Sequence, residues 1–390
     1  MKKTPDFDAA AEFMAGHARV LDRRVFQRLF SGGAAEPVRD AVAAYRNADG
    51  GFGYALEPDC RTAASQPATV EMALRILDLA DAWDERLVRD AIDWLATVAP
   101  AEGGAPFVLP SVSEGPHAPW WVPAEGPSLI QTGQISALLY AHGLAHPWLD
   151  GAARVMWSGI GKLTGPSGAA PNGYEMFGVL AFLEHVPDRE RAGDAFDRVG
   201  RLLLSSGLVT LDPGTEGETF GPLDFAPLPG SIARRLFDQA TIDAHLDHLA
   251  GAQRADGGWM FNWPSWSPAA EADWRGFVTV DALRVLRANG RGLSCPMSVR
   301  IISAHSNFMK YPGMSWRASA RHSRMHANVS GAQGRRAEIR PTDKRQPRAE
   351  GQPVTSKPLA VEEAVHDLTG PAAGAAVVLL QRCRRGVGPA

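Results

Sequence analysis

Two carboxylates and a guanidinium group in alternate positions, Glu57, Asp59 and Arg61, are the residues of this chain best suited to chemistry. Side chains two residues apart lie on one face of an extended segment, and a general acid works with a stabilising partner at that distance. We predict that these three residues are catalytic and that Gln66, a few positions later, binds the ligand. The alternative is a structural ion pair with Arg61, together with helix capping near Ser65.

Tryptophan is abundant, with 11 in 390 residues, and several of these residues stand in two segments between apolar stretches. An indole face can stack on a sugar or stabilise a cation, and tryptophans can equally close the open end of a hydrophobic core. Two such segments at one end of a fold favour an aromatic pocket. We predict ligand-binding residues there and in a third, acidic segment: Trp120, Trp121, Asp224, Trp259, Asn262 and Trp263.

Helices are the elements that position these residues. Apolar residues recur at the spacing of an amphipathic helix, Pro and Gly mark the boundaries, and no alternating strand pattern of convincing length occurs. The sequence therefore predicts an all-α protein. The first helix that we assign ends at residue 45, and the later ones cover residues 69–80, 86–98, 128–142, 147–160, 173–186, 188–204, 232–252 and 277–288.

The order of these helices is regular. Charged, amphipathic helices alternate with helices that are apolar on most sides. The linkers that lead into an apolar helix are long, at residues 47–66, 99–127 and 253–275, whereas the linkers that lead out of one are short. A closed ring of helix pairs requires this alternation, with the apolar helices forming the inner wall. The long linkers then meet at one mouth of the ring, where functional groups tend to lie.

One turn sequence occurs twice. Asp-Gly-Gly-Phe at residues 49–52 and Asp-Gly-Gly-Trp at residues 256–259 each follow a helical pattern and precede an apolar helix. Repetition of such a unit indicates an architecture built from repeats. The two turns resemble those of the α/α toroid superfamily, which includes squalene-type terpenoid cyclases and the β subunits of protein prenyltransferases. The resemblance covers residues 5–292 and implies one α/α toroid domain.

Residues 50–59 and 65–67 resemble more particularly a bacterial branch of that superfamily with no established activity. Squalene-type cyclases use an Asp-x-Asp-Asp cluster, whose nearest counterpart here is Asp-Leu-Ala-Asp at residues 78–81. Prenyltransferases bind zinc partly through an Asp-x-Cys pair, whereas Asp59 and Cys60 are adjacent. The resemblance therefore implies the fold and no particular activity. We predict neither a metal ion nor another cofactor.

Composition predicts a cytoplasmic protein. The N-terminus has two lysines followed by acids and no apolar run, and no stretch approaches the roughly 20 apolar residues that cross a bilayer. The 3 cysteines are far apart, unlike a disulfide framework or a CxxC metal site. We expect a small molecule rather than nucleic acid as the partner, and the oligomeric state stays open.

Residues 293–390 differ from the rest of the chain. They contain 15 Lys and Arg against 6 Asp and Glu, although the whole chain has a net charge of -3. They lack helical periodicity and are rich in Arg, Gly, Ser and Pro, so we predict a disordered, basic, low-complexity tail. A basic arm for an anionic surface, an inert extension and the product of a shifted reading frame all fit this composition. Aromatic residues are too sparse there for a nucleic-acid stacking platform.

These observations favour a protein whose aromatic-lined central cavity takes a small, largely apolar ligand, which the resemblance suggests is an isoprenoid. For an enzyme, the residues allow acid-assisted carbocation chemistry by Glu57 or Asp59, with indole faces shielding the cation. Two alternatives stay open. One is a carbohydrate-active helical barrel that uses paired carboxylates, and the other is a non-catalytic binding scaffold.

Overall fold

Twelve α-helices and two short 3₁₀ turns make up the part of the chain that a computed structural model describes, residues 4–166, 168 and 171–293. Extended pairing within these residues is limited to three isolated bridges. The predicted all-α class is therefore confirmed. The predicted tail lies outside the described residues from position 294 onward, and the boundary at residues 292 and 293 stays a prediction.

Most helices begin and end close to their predicted positions. None within the described ranges is both long and apolar enough to cross a membrane. The two 3₁₀ turns are Pro110–Glu114 and Ile232–Leu236. The α-helices are α1 (Phe7–His17), α2 (Val20–Phe30), α3 (Glu36–Ala43), α4 (Pro67–Leu79), α5 (Glu85–Thr97), α6 (Leu129–Ala141), α7 (Trp148–Leu163), α8 (Gly173–His185), α9 (Arg189–Ser205), α10 (Pro222–Phe225), α11 (Gln239–Gly251) and α12 (Pro268–Ala288).

Two predicted boundaries were wrong. Helix α12 starts at Pro268 rather than at residue 277. Ser267 caps this start, because its side-chain oxygen accepts a hydrogen bond from the amide of Ala270. The predicted helix over residues 232–252 is instead a 3₁₀ turn followed by α11, since the Asp238 side chain caps a new helix start. The first correction places Trp274 on a helix rather than in a loop.

The helices form an α/α toroid, as predicted. Helix α6 packs between α4 and α8, and α7 lies against both α6 and α8. Helices α5 and α9 lie against α4 and α8, respectively. The path continues from α8 through α10 and α11 to α12. It closes because α12 contacts α1 and α2, α2 contacts α3, and α3 contacts α4.

Small residues allow the closest approach within the inner wall. A Cβ atom on Gly133 of α6 would lie 2.3 Å from the carbonyl oxygen of Gly178 on α8. Both helices bury residues on most of their sides, which explains their nearly all-apolar sequences. The contact between α6 and α8 therefore depends on glycine at both positions.

The two Asp-Gly-Gly turns have the same hydrogen bonds. Asn47 donates to the carbonyl of Gly51, and Arg254 donates to the carbonyl of Gly258 at the equivalent place. The second Gly of each motif donates to the motif's aspartate, at 2.9 Å for Asp49 and 3.1 Å for Asp256. The aromatic residue that follows each turn is buried. The sequence repeat thus corresponds to a repeated local structure.

The long linkers contact one another in series. The linker before α4 pairs with the linker before α6 through the Cys60–His117 bridge. It also reaches the linker before α12, because Trp266 donates to Asp59. That last linker meets the segment before α10, since Asn262 donates to the carbonyl of Thr219. The loop residues of the predicted site therefore lie in connected segments.

Candidate functional site

Glu57 and Asp59 lie in a buried turn rather than on an extended, exposed segment. Their exposed fractions are only 6% and 4%. The turn is closed by the amide of Cys60, which donates to the Glu57 carbonyl, and it is tied to the neighbouring linker by the amide of Ala118, which donates to the Asp59 carbonyl. Glu57 and Asp59 thus form a carboxyl pair within one buried turn.

Glu57 is the more strongly perturbed member of the carboxyl pair. Burial and then the charge of Asp59 raise the pKa of the Glu57 carboxyl well above its ordinary value of 4.5. Backbone amides of Cys60 and Asp59 and the charge of Arg19 oppose this shift. Its Oε2 atom is buried and has no hydrogen-bond partner within the described part of the chain. Burial therefore favours the neutral, protonated form of Glu57.

Asp59 has a more polar environment. Burial raises its pKa, but the indole N–H groups of Trp274 and Trp266 and the charge of Arg61 act against that rise. The Trp266 Nε1 atom donates to Asp59 Oδ1 at 2.8 Å. Trp274 faces the same carboxylate, yet its buried Nε1 forms no hydrogen bond to any described residue. The two acids thus differ in environment, with indole N–H groups beside Asp59 and backbone amides beside Glu57.

Arg61 pairs with a residue that the sequence analysis did not identify. Its Nη1 lies 2.6 Å from Asp273 Oδ2 on α12, and this atom also donates to the carbonyl of Pro58. The Arg61 and Asp273 side chains are 25% and 18% exposed. The structural ion pair that was the alternative for Arg61 therefore exists, but its partner is Asp273. Arg61 acts on Asp59 only through its charge.

The backbone before Glu57 adopts an unusual conformation. Tyr54 and Ala55 both have positive φ angles, 55° and 63°, which residues with a Cβ atom rarely adopt. Arg19 holds this segment, because its Nη1 donates to the carbonyls of Ala55 and Leu56 at 3.0 and 3.1 Å. Asp22 in turn fixes Arg19 through two hydrogen bonds of 2.8 and 3.2 Å. No short-range sequence signal predicts this clamp.

Aromatic side chains surround the α12 side of the carboxyl pair. Phe261 stacks on Trp263 with centroids 4.5 Å apart, and Trp263 meets Trp274 edge to face at 5.2 Å. Phe277 contacts the other side of Trp274 at 5.8 Å. Trp274 and Trp266 were not among the predicted ligand-binding residues. Trp263, which was, belongs to this aromatic row of Phe261, Trp263, Trp274 and Phe277.

A second polar and aromatic group includes Asp224. The amide of Gly221 donates to Asp224 Oδ2 at 2.6 Å, and burial raises the pKa of this carboxyl to about 6. The Tyr174 hydroxyl donates to Glu218 at 2.5 Å, and the Tyr174 ring meets Phe220 edge to face. The charges of Asp224 and Asp59 both influence Tyr174. Asp224 and Asp59 therefore both lie close enough to Tyr174 for their charges to act on its hydroxyl group.

Other predicted residues have structural partners. Gln66 is fully buried, and its amide donates to Ser111 and accepts from the Leu109 amide, both at 2.8 Å. Trp259 is 2% exposed in the hydrophobic core, and its indole donates to the carbonyl of Leu249. These contacts give both side chains structural roles within the fold. The proposed site does not include them.

The paired tryptophans lie apart from the aromatic row. Trp121 packs on Phe107 with centroids 4.8 Å apart, in a small cluster with Cys60. Trp120 is 38% exposed. Asn262 joins two linkers by donating to the Thr219 carbonyl at 2.9 Å. That Trp120 and Asn262 contact a ligand remains a prediction.

A cavity of about 600 Å³ lies between α1, the second Asp-Gly-Gly turn and the start of α12. This volume falls in the range of small-molecule sites. Trp266 lines the cavity while its Nε1 atom donates to Asp59, whereas neither member of the carboxyl pair lines it. The lining residues are Phe13, His17, Asp256, Ser265, Trp266, Ser267, Pro268, Glu271, Ala272 and Arg275.

The described residues do not form a metal-binding group. No group of three or more His, Cys, Asp or Glu side chains within the described ranges is arranged to hold a metal ion. Cys60 is buried beside the carboxyl pair, and burial followed by the charges of Glu57 and Asp59 raises the pKa of its thiol well above the ordinary value, which disfavours the thiolate. Carboxyl groups such as Glu57 and Asp59 can transfer protons and stabilise positive charge.

Comparison with known proteins gives structural likenesses only. No family model and no curated protein matches the chain. The type II terpene cyclase MstE from Scytonema, in its apo form, has a TM-score of 0.41 at 13% identity over 73% of this chain and 90% of that chain. A variant of MstE with merosterolic acid A, a product, has a TM-score of 0.41 at 14% identity over 73% and 90% of the two chains. A third structure, with the substrate geranylgeranyl dihydroxybenzoate, gives 0.41 at 13% over 74% and 91%.

Proposed function

We propose that this protein is an acid catalyst that binds a small, largely apolar molecule such as an isoprenoid. The molecule binds at the end of the toroid where the long linkers meet. The observation on which this rests is the carboxyl pair: a buried Glu57 with an unpartnered Oε2 beside Asp59. Burial keeps the proton on a carboxylic acid at a pH where a solvated carboxyl group has already lost it, so the buried group is available as a general acid. Asp59, held by Trp266, is the charged partner.

In the proposed reaction, the Glu57 O–H bond breaks while the π electron pair of a ligand double bond forms a C–H bond with the proton, which leaves a carbocation. Loss of a proton from a neighbouring ligand carbon to the Glu57 carboxylate then forms a new double bond and restores the acid. The carboxylate that remains is stabilised by the amides of Asp59 and Cys60 and by the charge of Arg19. Positive charge that develops on the ligand is stabilised by Asp59 and by the faces of Trp263 and the rest of the aromatic row. Trp266 lines the cavity and also donates to Asp59, so a small molecule in the cavity would be separated from the carboxyl pair by one side chain.

The carbohydrate alternative has less support. Glycoside hydrolysis uses two carboxyls on either side of the bond that breaks, whereas Glu57 and Asp59 lie two residues apart in one turn. A purely structural scaffold does not explain why a carboxyl oxygen is buried without a partner, since such an atom costs about 1–3 kcal/mol. We therefore retain the acid catalyst as the proposal.

The test is to incubate the full chain with farnesol and geranylgeraniol in D₂O and to analyse the products by mass spectrometry. Wild-type protein is expected to give products that contain one solvent deuterium on carbon. Glu57→Gln should reduce this turnover by about 100-fold or more, the usual contribution of a general acid. Full turnover by Glu57→Gln, or turnover of oligosaccharides alone, would contradict the proposal. Glu190→Gln, on the outer face of α9, is the matched control.

A further inference from the structure

The cavity between α1, the second Asp-Gly-Gly turn and the start of α12 is lined by charged and aromatic side chains. Its volume of about 600 Å³ is sufficient for a small molecule. Neither Glu57 nor Asp59 lines it. A molecule in this cavity is therefore recognised by groups other than the carboxyl pair.

Arg275, the one arginine in the cavity wall, is already bound to protein groups. Its Nη2 atom donates to Asp256 Oδ1 and Oδ2 at 2.8 and 2.7 Å, and its Nε atom donates to the Trp259 carbonyl at 3.4 Å. The guanidinium group also lies over the Phe13 ring, 4.6 Å from the centroid. Arg275 and Asp256 therefore neutralise each other, and an anionic ligand would have to compete with Asp256 for the arginine.

Glu271 differs from Asp256 in having no such partner. It lies in the first turn of α12, is half-buried and lines the same cavity. Its side chain forms no hydrogen bond or ion pair with any residue of the described ranges. Because the charges of Asp256 and Arg275 cancel, Glu271 adds an uncompensated negative charge to the cavity wall. Such a charge attracts a cation and repels an anion.

Trp266 supplies an aromatic surface beside this charge. Its Nε1 atom donates to Asp59, yet no aromatic or cationic side chain of the described residues packs on its ring. Phe13 and His17 extend the aromatic part of the wall, with their ring centroids 5.2 Å apart. An organic ammonium group is attracted both to a carboxylate and to the face of an aromatic ring. The cavity thus combines the two features that recognise such a group.

We propose that this cavity binds a small organic cation, whose ammonium group pairs with Glu271 and whose apolar body packs on Trp266. The proposal goes beyond the proposed function and does not rest on it, because the carboxyl pair is not part of the cavity wall. An inorganic cation would leave the indole ring uncovered, and a neutral molecule would leave Glu271 unpaired. An organic cation satisfies both groups.

The test is titration calorimetry of the full chain with three probes that share a phenyl ring. At pH 8, phenethylamine is a cation, 2-phenylethanol is its uncharged analogue and 3-phenylpropanoate is an anion. Wild-type protein is expected to bind the cation at least fivefold more tightly than the alcohol and to bind the anion most weakly. Equal affinities for the cation and the alcohol, tightest binding of the anion, or no binding of any probe would overturn the inference.

Two substitutions in the cavity wall locate the binding site. Glu271→Gln keeps the shape of the side chain and removes its charge, so the preference for the cation should fall to about twofold or less. Glu190→Gln is the matched control, because Glu190 lies in the first turn of α9 and is exposed, and this variant should keep the preference.

Ala272→Leu adds bulk to an exposed position of α12 that lines the cavity. It should weaken binding of the cation and of the alcohol alike, by about tenfold. An unchanged preference in Glu271→Gln, or unchanged affinities in Ala272→Leu, would mean that the probes bind elsewhere and would contradict the proposal. These measurements record binding alone, so they do not depend on whether the carboxyl pair supports turnover.

Discussion

Arg61 and Asp273 form an ion pair with an N–O distance of 2.6 Å, although 212 positions separate them in the sequence. Arg61 belongs to the linker before α4, and Asp273 belongs to the first turns of the last helix. Trp266 makes a second connection between the same two segments through Asp59. The environment of the carboxyl pair is therefore completed only when the last helix closes the ring on the first linker.

The first prediction concerns this closure. Arg61→Met and Asp273→Asn should each destabilise the protein, and a double-mutant cycle in urea should give a coupling energy of about 1 kcal/mol, because both groups are largely buried. The pair of Arg89 and Glu85, whose side chains are 42% and 68% exposed, is the control and should give less than about 0.5 kcal/mol. Additive effects of the two site substitutions would show that the pair does not join the segments.

The second prediction concerns pH and stability. Since the pKa of folded Glu57 is raised above 4.5, the folded protein keeps a proton that the unfolded chain releases above that pH. The free energy of unfolding should therefore fall as pH rises from about 4.5 toward the folded pKa, by up to about 1.4 kcal/mol per pH unit. Glu57→Gln removes this contribution, so the variant should gain stability relative to wild type as pH rises.

Urea unfolding of wild type and Glu57→Gln between pH 5 and 8 measures this difference. Glu190→Gln is the control, and its unfolding free energy should follow that of wild type at every pH. A constant difference between wild type and Glu57→Gln across the range would show that Glu57 is ionised in the folded protein.

A third prediction concerns Trp266. Its N–H bonds to the charged form of Asp59, so Trp266→Phe should raise the pKa of Asp59 by about one pH unit. Carboxyl ¹³C NMR titration of wild type and Trp266→Phe measures the change, and Trp83→Phe controls for the loss of an indole elsewhere. An Asp59 titration unaltered by Trp266→Phe would remove Trp266 from the site.

The repeated turn gives a fourth prediction. Gly257 has a φ of 88°, and a Cβ atom there would lie 2.1 Å from the carbonyl oxygen of Ala9. Gly257→Ala should therefore destabilise the fold by more than about 2 kcal/mol. Gly193, in helix α9, has no atom within 4 Å of such a Cβ, so Gly193→Ala should stabilise it by about 0.5–1 kcal/mol. Thermal unfolding that ranks the two variants in the opposite order would contradict this geometry.

The fold was largely predictable because its signals are local. The apolar stretches that became α4, α6 and α8, the alternation of linker lengths and the doubled Asp-Gly-Gly turn all depend on residues close in sequence. The start of α12 was missed because Trp and Pro dominate residues 259–268, and their composition is typical of a loop. The break before α11 depends on a single capping side chain, Asp238.

The site was predictable only in part. The pairing of Glu57 and Asp59 follows from their spacing, but their burial and the difference between them depend on distant groups. Arg19 acts on Glu57, Trp266 donates to Asp59 and Asp273 pairs with Arg61. All three are distant in sequence, and no pattern within one segment indicates such contacts. Gln66 and Trp259 were chosen by residue type, yet the packing of the core uses their polar groups.

Infrared difference spectroscopy of the carboxyl C=O stretch at pH 7 tests the protonation of Glu57 most directly. The wild-type spectrum should contain the band of a buried, protonated carboxyl group, which disappears only when the pH exceeds the folded pKa of Glu57. Glu57→Gln should lack this band, and Glu190→Gln should retain it. Identical spectra for wild type and Glu57→Gln at pH 7 would mean that Glu57 is a carboxylate, and the proposed proton donor would then be wrong.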